Sequence, residues 1–152
     1  MRTLALVLLL FAASLTGAKT LADTAPGTLD LAQYQGKVVY LDFWASWCGP
    51  CRRSFPWMNA MQQKYSAQGL VIVSVNVDEK RADADGFLKA NPASFPVIFD
   101  PEGKLAERYQ LIGMPSSFII GRDGKVLKAH QGFLDDSPTR YEAELRAALG
   151  VP

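Results

Sequence analysis

A chain of 152 residues and 16.6 kDa has room for one domain and not for two ordinary ones. Hydrophobic residues make up 49% and charged residues 20%, which excludes a disordered, collagen-like or low-complexity chain. Sixteen basic against fifteen acidic side chains give a net charge of +1, so nothing global draws the chain to nucleic acid or an anionic membrane, and no nucleic-acid partner is expected.

Met1-Arg2 is a positive start, and Thr3 to Ala18 follow without a charge. Two small-residue sites come next, Thr16-Gly17-Ala18 and Thr20-Leu21-Ala22. This is the pattern of a secretory signal peptide over residues 1–22, cleaved after Ala18 or Ala22, with the folded domain over 23–152. The rival is an uncleaved membrane anchor, but a span needs about 20 apolar residues and this run is shorter. Removal of residues 1–22 takes out Arg2 and Lys19 and leaves 14 basic and 15 acidic groups, a net of −1. Export also carries the chain into an oxidising compartment, where two nearby thiols are expected to do redox chemistry or become oxidised.

The rest alternates strand-like and helix-like segments. Lys37 to Trp44 is β-branched and aromatic and predicts a buried strand. Pro50 to about Ala67 predicts a helix, with Pro50 tolerated in its first turn and Pro56 inside it. Leu70 to Val77 is apolar enough for a strand buried on both faces. Arg81 to Ala90 predicts a polar helix, Val97 to Asp100 a short strand and Lys104 to Tyr109 a short helix. Ser117 to Ile120 and Val126 to His130 predict a hairpin around Arg122-Asp123-Gly124. Ser137 to Leu149 predicts a last helix, with Ser137 as N-cap and Gly150 as stop. Such an order implies a mixed central sheet with helices on both faces.

The chemistry concentrates at Trp47-Cys48-Gly49-Pro50-Cys51, where a strand hands over to a helix. Three-residue spacing puts the cysteines one turn apart, with Cα atoms about 5–6 Å from each other, within disulfide range. Cys48 sits at the open helix end, where unsatisfied N–H groups and the positive dipole end favour a thiolate. It is therefore the expected nucleophile, exposed and ionised, and Cys51 the more buried resolving thiol. A structural disulfide is the bland alternative, but so small a loop gains little from closure. A zinc site would need two further ligands, and His130 is the only histidine, so no metal is expected and His130 is read as a strand residue. Arg52 and Arg53 add positive potential near the thiolate, or simply line a solvated helix face.

The run Asp42-Phe43-Trp44-Ala45-Ser46-Trp47-Cys48-Gly49-Pro50-Cys51 resembles the active-site signature of thioredoxins. Gly113-Met114-Pro115-Ser116-Ser117-Phe118-Ile119-Ile120, followed by Asp123-Gly124-Lys125-Val126, resembles the second signature of that superfamily. With the export signal, the chain resembles the TlpA/ResA group of periplasmic thiol-disulfide oxidoreductases. The resemblance implies an α/β fold, a thioredoxin-like three-layer sandwich with a mixed central β-sheet. It implies a cis-proline at Pro115, exposing the Met114 backbone to an extended substrate, and Gly132 at the groove rim. Trp47, Gly49 and Pro50 complete the expected substrate contacts. Asp42, mid-strand in a run fit for burial, would have a raised pKa. The resemblance places it beneath Cys51 as proton acceptor. The TlpA/ResA pattern has a Glu three residues after the second cysteine, and Ser54 stands there, leaving Asp42 as the carboxylate placed for that role.

Three readings follow: a reductase of disulfides in exported proteins, apocytochrome c among them; an oxidase or isomerase partner in periplasmic folding; and a non-catalytic metal-binding or docking module. The Gly-Pro pair between the cysteines resembles that of reducing thioredoxins, which favours the first. A monomer is expected, with no cofactor beyond the Cys48–Cys51 couple, and the resemblance implies a membrane electron donor of the DsbD or CcdA type to recharge it.

Overall fold

The computed structural model describes residues 28–152, so the expected signal segment and its cleavage sites after Ala18 and Ala22 lie outside the described residues. The described chain opens with a 3-10 turn at Leu31–Tyr34, capped by Asp30, which accepts from the Ala32 N–H. The elements that follow are β1 (Val38–Trp44), α1 (Gly49–Tyr65), β2 (Leu70–Asn76), α2 (Arg81–Ala90), β3 (Val97–Phe99), α3 (Lys104–Arg108), β4 (Ser116–Ile120), β5 (Val126–Gln131) and α4 (Ser137–Leu149). They form one five-stranded sheet in the order β3-β2-β1-β4-β5. β1, β2 and β3 run parallel, while β4 is antiparallel to β1 and β5 to β4.

All of β1 is buried because both faces of the sheet are covered, which explains its unbroken apolar run. The pleat sorts its side chains. Val38, Tyr40 and Trp44 pack with residues of α1, α2 and α4, while Val39, Leu41 and Phe43 pack with Leu105 of α3 and lean on Leu31 and Tyr34 of the opening turn. Trp44 anchors the first layer, with ring centroids 4.9 Å from Phe55 and 4.6 Å from Phe87. Burial of each such ring contributes about 1.5–3 kcal/mol.

Two helix ends differ from expectation. The helix predicted to run from Pro50 to Ala67 starts at Gly49 and stops at Tyr65, and a 3-10 turn, Ser66–Gln68, leads into Gly69 in the left-handed region. Ser137 is not the N-cap of α4: Asp136 holds that position, because its carbonyl already accepts from the Arg140 N–H, and the Ser137 hydroxyl accepts instead from the Leu134 N–H at 2.8 Å. Pro56 lies inside α1 and offers no N–H to the carbonyl of Arg52.

Phe43, Ser116 and Gln131 lie in one register row across β1, β4 and β5. The segments after β1, before β4 and after β5 therefore leave the sheet at the same edge. The functional residues collect there.

Candidate redox site

Cys48 is the N-cap of α1, and the Cys51 N–H donates to its sulfur at 3.3 Å. The two cysteines are joined, with Cα atoms 5.3 Å apart. Once the bond is reduced, the same N–H and the helix dipole favour negative charge on the Cys48 sulfur. Cys51 is fully buried, and Cys48 is only 3% exposed. That corrects the expectation of an open sulfur: in the disulfide form Cys48 is drawn into the cluster with Trp44, Ala45 and Phe55. The neighbouring Trp47 is 70% exposed and marks where the site meets solvent.

Asp42 lies between Tyr40 and Trp44 on the face of β1 that packs against α1 and Cys51. Its Oδ2 is buried with no hydrogen-bond partner. Burial pushes the carboxyl well above the usual carboxylate range. Ser54, which stands where the TlpA/ResA pattern has Glu, is buried and donates to the Cys51 carbonyl at 3.0 Å.

The Met114–Pro115 peptide is cis, as the resemblance implied. Met114 packs against the cluster that holds both cysteines. The Gly132 N–H donates to the Pro115 carbonyl at 2.8 Å, which ties the segment after β5 to the proline segment. Gly132 has φ +82°, a conformation that other residues adopt only with strain. Arg53 donates to the Phe133 carbonyl at 3.0 Å, fastening α1 to that segment, while Arg52 is exposed. Gly49 and Pro50 form the first turn of α1. His130 is a strand residue as expected, but it is enclosed, with its ring stacked 3.8 Å from Tyr141.

Several site residues escaped the sequence. Ile112 and Leu134 are 86% and 63% exposed on the segments before β4 and after β5, which leave the sheet at the same end as the segment that carries Trp47. Nothing in the sequence distinguishes them from core leucines and isoleucines. Asp78 accepts from the Ser46 N–H at 2.9 Å, the Ser46 hydroxyl at 2.9 Å and the Asn76 side chain at 2.7 Å. It clamps the turn that delivers Cys48. The polar spacing Asn76-Val77-Asp78 after an apolar strand was the available signal.

The profile of the Redoxin family matches residues 12–149. The chain belongs to the redoxin family. Within that family it is similar to the thiol-disulfide oxidoreductase ResA of Bacillus subtilis, at 35% identity over 117 residues, 77% of this chain and 65% of ResA. A second ResA, from Bacillus thuringiensis, is 36% identical over 68% of this chain and 60% of its own length. This redoxin thus spans less than two thirds of the curated relatives it matches. Among solved structures it is similar to a Chlorobium tepidum protein described as a thiol:disulfide interchange protein DsbE, at 55% identity and TM-score 0.77, covering 79% of this chain and 85% of that one. StoA of Bacillus subtilis follows at 27% identity and TM-score 0.62, covering 72% and 82%. The fold is thioredoxin-like, and the chain is a ResA-like member of the thioredoxin superfamily.

Proposed function

We propose that this chain is a thiol-disulfide oxidoreductase acting outside the cytoplasm, chiefly as a reductant of disulfides in exported proteins. The observation that carries this reading is the Cys48–Cys51 pair at the start of α1, next to the exposed Trp47. In the reduced form the Cys48 thiolate attacks one sulfur of a substrate disulfide. A Cys48–substrate bond forms, and the other substrate sulfur leaves as a thiolate that takes up a proton. Cys51 gives its proton to Asp42, its thiolate attacks the Cys48 sulfur, and the second substrate sulfur departs as a thiolate that takes up a proton from solvent. Two electrons have passed to the substrate, and the Cys48–Cys51 disulfide is restored. Within the described residues no hydrogen bond engages the Met114 backbone N–H or carbonyl, so both are free to pair with an extended substrate strand beside Trp47, Gly49, Pro50 and Gly132.

Each turnover consumes two electrons, so a dithiol donor must restore them. A membrane carrier of the DsbD or CcdA type suits an exported monomer, and apocytochrome c suits the substrate class. The signal segment 1–22 supports export; mass spectrometry of the chain recovered from the periplasm should find a start at Lys19 or Asp23. No helix among the described residues is long and apolar enough to cross a membrane. A glutathione titration of the Cys48–Cys51 couple decides direction: a potential below about −220 mV supports the reductase, and one above about −150 mV supports a disulfide donor. Cys51→Ser should then accumulate substrates bound through Cys48.

A further inference from the structure

One register row breaks the apolar face beneath α1 and α4. Asp42 of β1 is the cross-strand partner of Ser74 on β2 and of Ser117 on β4, and Ser117 is the partner of His130 on β5. Directly paired side chains share a face, with Cβ atoms about 4.5–5.5 Å apart. The row therefore runs Ser74, Asp42, Ser117, His130 across four adjacent strands. Ser74 is occupied by the Trp44 indole N–H at 3.2 Å. The other side of the row leads outward. The Tyr40 hydroxyl donates to Ser117 Oγ at 2.8 Å, Ser117 Oγ lies 3.4 Å from His130 Nδ1, and His130 Nε2 lies 2.5 Å from Glu144 Oε2 on α4. Asp42, Ser117 and the His130 side chain are buried, whereas Glu144 reaches solvent.

Resting on the reading of Asp42 as the base for Cys51, we propose that Ser117, His130 and Glu144 are the path by which the Asp42 proton leaves for solvent. The spacing fits the required direction when the neutral ring carries its hydrogen on Nε2. The Ser117 oxygen accepts from Tyr40, which leaves its own hydrogen for His130 Nδ1. The ring then donates through Nε2–H to Glu144. Asp42 and Ser117 are cross-strand partners but share no hydrogen bond in the disulfide form. Once Asp42 has taken the Cys51 proton, its carboxyl turns toward Ser117, and its O–H passes that proton to Ser117 Oγ as the Ser117 hydrogen moves to Nδ1. The imidazolium so formed lies against the Glu144 carboxylate and releases its Nε2 proton there, at the surface. No electron moves, and Ser117 ends as the neutral hydroxyl it began as.

A purely structural network would not be built this way. Burying polar groups is costly unless each is partnered, yet the inner end of the row is a carboxyl oxygen with no partner at all. Tyr141 stacks on the His130 ring with an interplanar angle of 19°, and its hydroxyl donates to the Gly132 carbonyl, which holds the imidazole between Ser117 and Glu144. The titratable groups that face the row are Tyr40 on β1, Cys51 on α1, Tyr141 and Glu144 on α4, and Lys128 two residues before His130 on β5. Ser117, His130 and Glu144 act through Asp42 and do not touch sulfur.

The test is stopped-flow reduction of a synthetic peptide carrying one internal disulfide by the reduced full chain, followed by tryptophan fluorescence. Formation of the mixed disulfide is second order, and its release by Cys51 is first order, so the two steps separate. Ser117→Ala and His130→Gln should slow release about tenfold near neutrality and leave formation within about twofold. In these variants release should accelerate with imidazole buffer, which can accept the stranded proton, whereas wild type should be insensitive to it. Ser117→Thr, which keeps the hydroxyl, should restore the rate. Release unchanged in both variants, equal slowing of both steps, or indifference of the variants to imidazole overturns the path. Wild type that never forms the Cys48 adduct overturns the underlying reading instead.

Discussion

Asp42 sits where folding disfavours its charge. Burial without a partner raises its carboxyl pKa well above the ordinary range. From that range up to the raised value, the folded chain holds a proton that the unfolded chain has lost. Stability therefore falls as pH rises through this window. Asp42→Asn removes the titration and keeps the shape. It should raise the denaturation midpoint at neutral pH, and the gain should vanish as pH drops to the ordinary carboxylate range. The same substitution removes the base for Cys51, so release of the mixed disulfide should slow about a hundredfold while its formation is spared. Thermal melts across pH and stopped-flow kinetics on one variant check both halves. A variant less stable than wild type at neutrality contradicts the first, and unchanged release contradicts the second.

The turn from β1 into α1 depends on Asp78, which lies just beyond β2. Its carboxylate takes two bonds from Ser46 and one from Asn76, and the Val77 N–H donates to the Trp44 carbonyl. Asp78→Ala should cost about 1–3 kcal/mol, because the Ser46 N–H loses its acceptor in a partly enclosed place. It should also slow alkylation of reduced Cys48 severalfold, since the cap geometry is set by this turn. Urea denaturation and iodoacetamide kinetics read the two effects separately. Asp78 also illustrates what the sequence conceals. The elements themselves were legible: β-branched runs marked β1 and β2, and Asp123-Gly124 marked the hairpin, where the Gly124 N–H bonds back to Gly121. The placement of Cys48 at a helix start followed from the strand-to-helix change around it. Element ends were less legible, because Ser137 looks like a cap until its hydroxyl is seen serving Leu134. Contacts made across the sheet left no local trace. Ser117 and His130 are thirteen residues apart along the hairpin and meet only through register.

The two ends of the sheet divide the labour. At the end away from the disulfide, Arg122 donates to the carbonyls of Gly36, Gln68 and Leu149, stapling the entry to β1, the entry to β2 and the end of α4. Arg122→Ala should cost about 1–2 kcal/mol of stability and leave the potential of the Cys48–Cys51 couple unchanged, which chemical denaturation and a glutathione titration would establish. The opposite end holds the chemistry, and there Trp47, Ile112 and Leu134 project into solvent. Exposed apolar side chains at the end of the sheet that holds an enclosed disulfide imply that a substrate contributes apolar surface before its sulfur can reach Cys48. Ile112→Ser combined with Leu134→Ser should therefore leave the melting temperature and the reaction with glutathione unaltered. Toward a disulfide-bonded protein the same variant should lose about tenfold in kcat/KM through a higher KM, since only part of the burial of two side chains is recovered on docking. If glutathione and the protein substrate slow together, the two side chains act on the thiol and not on docking.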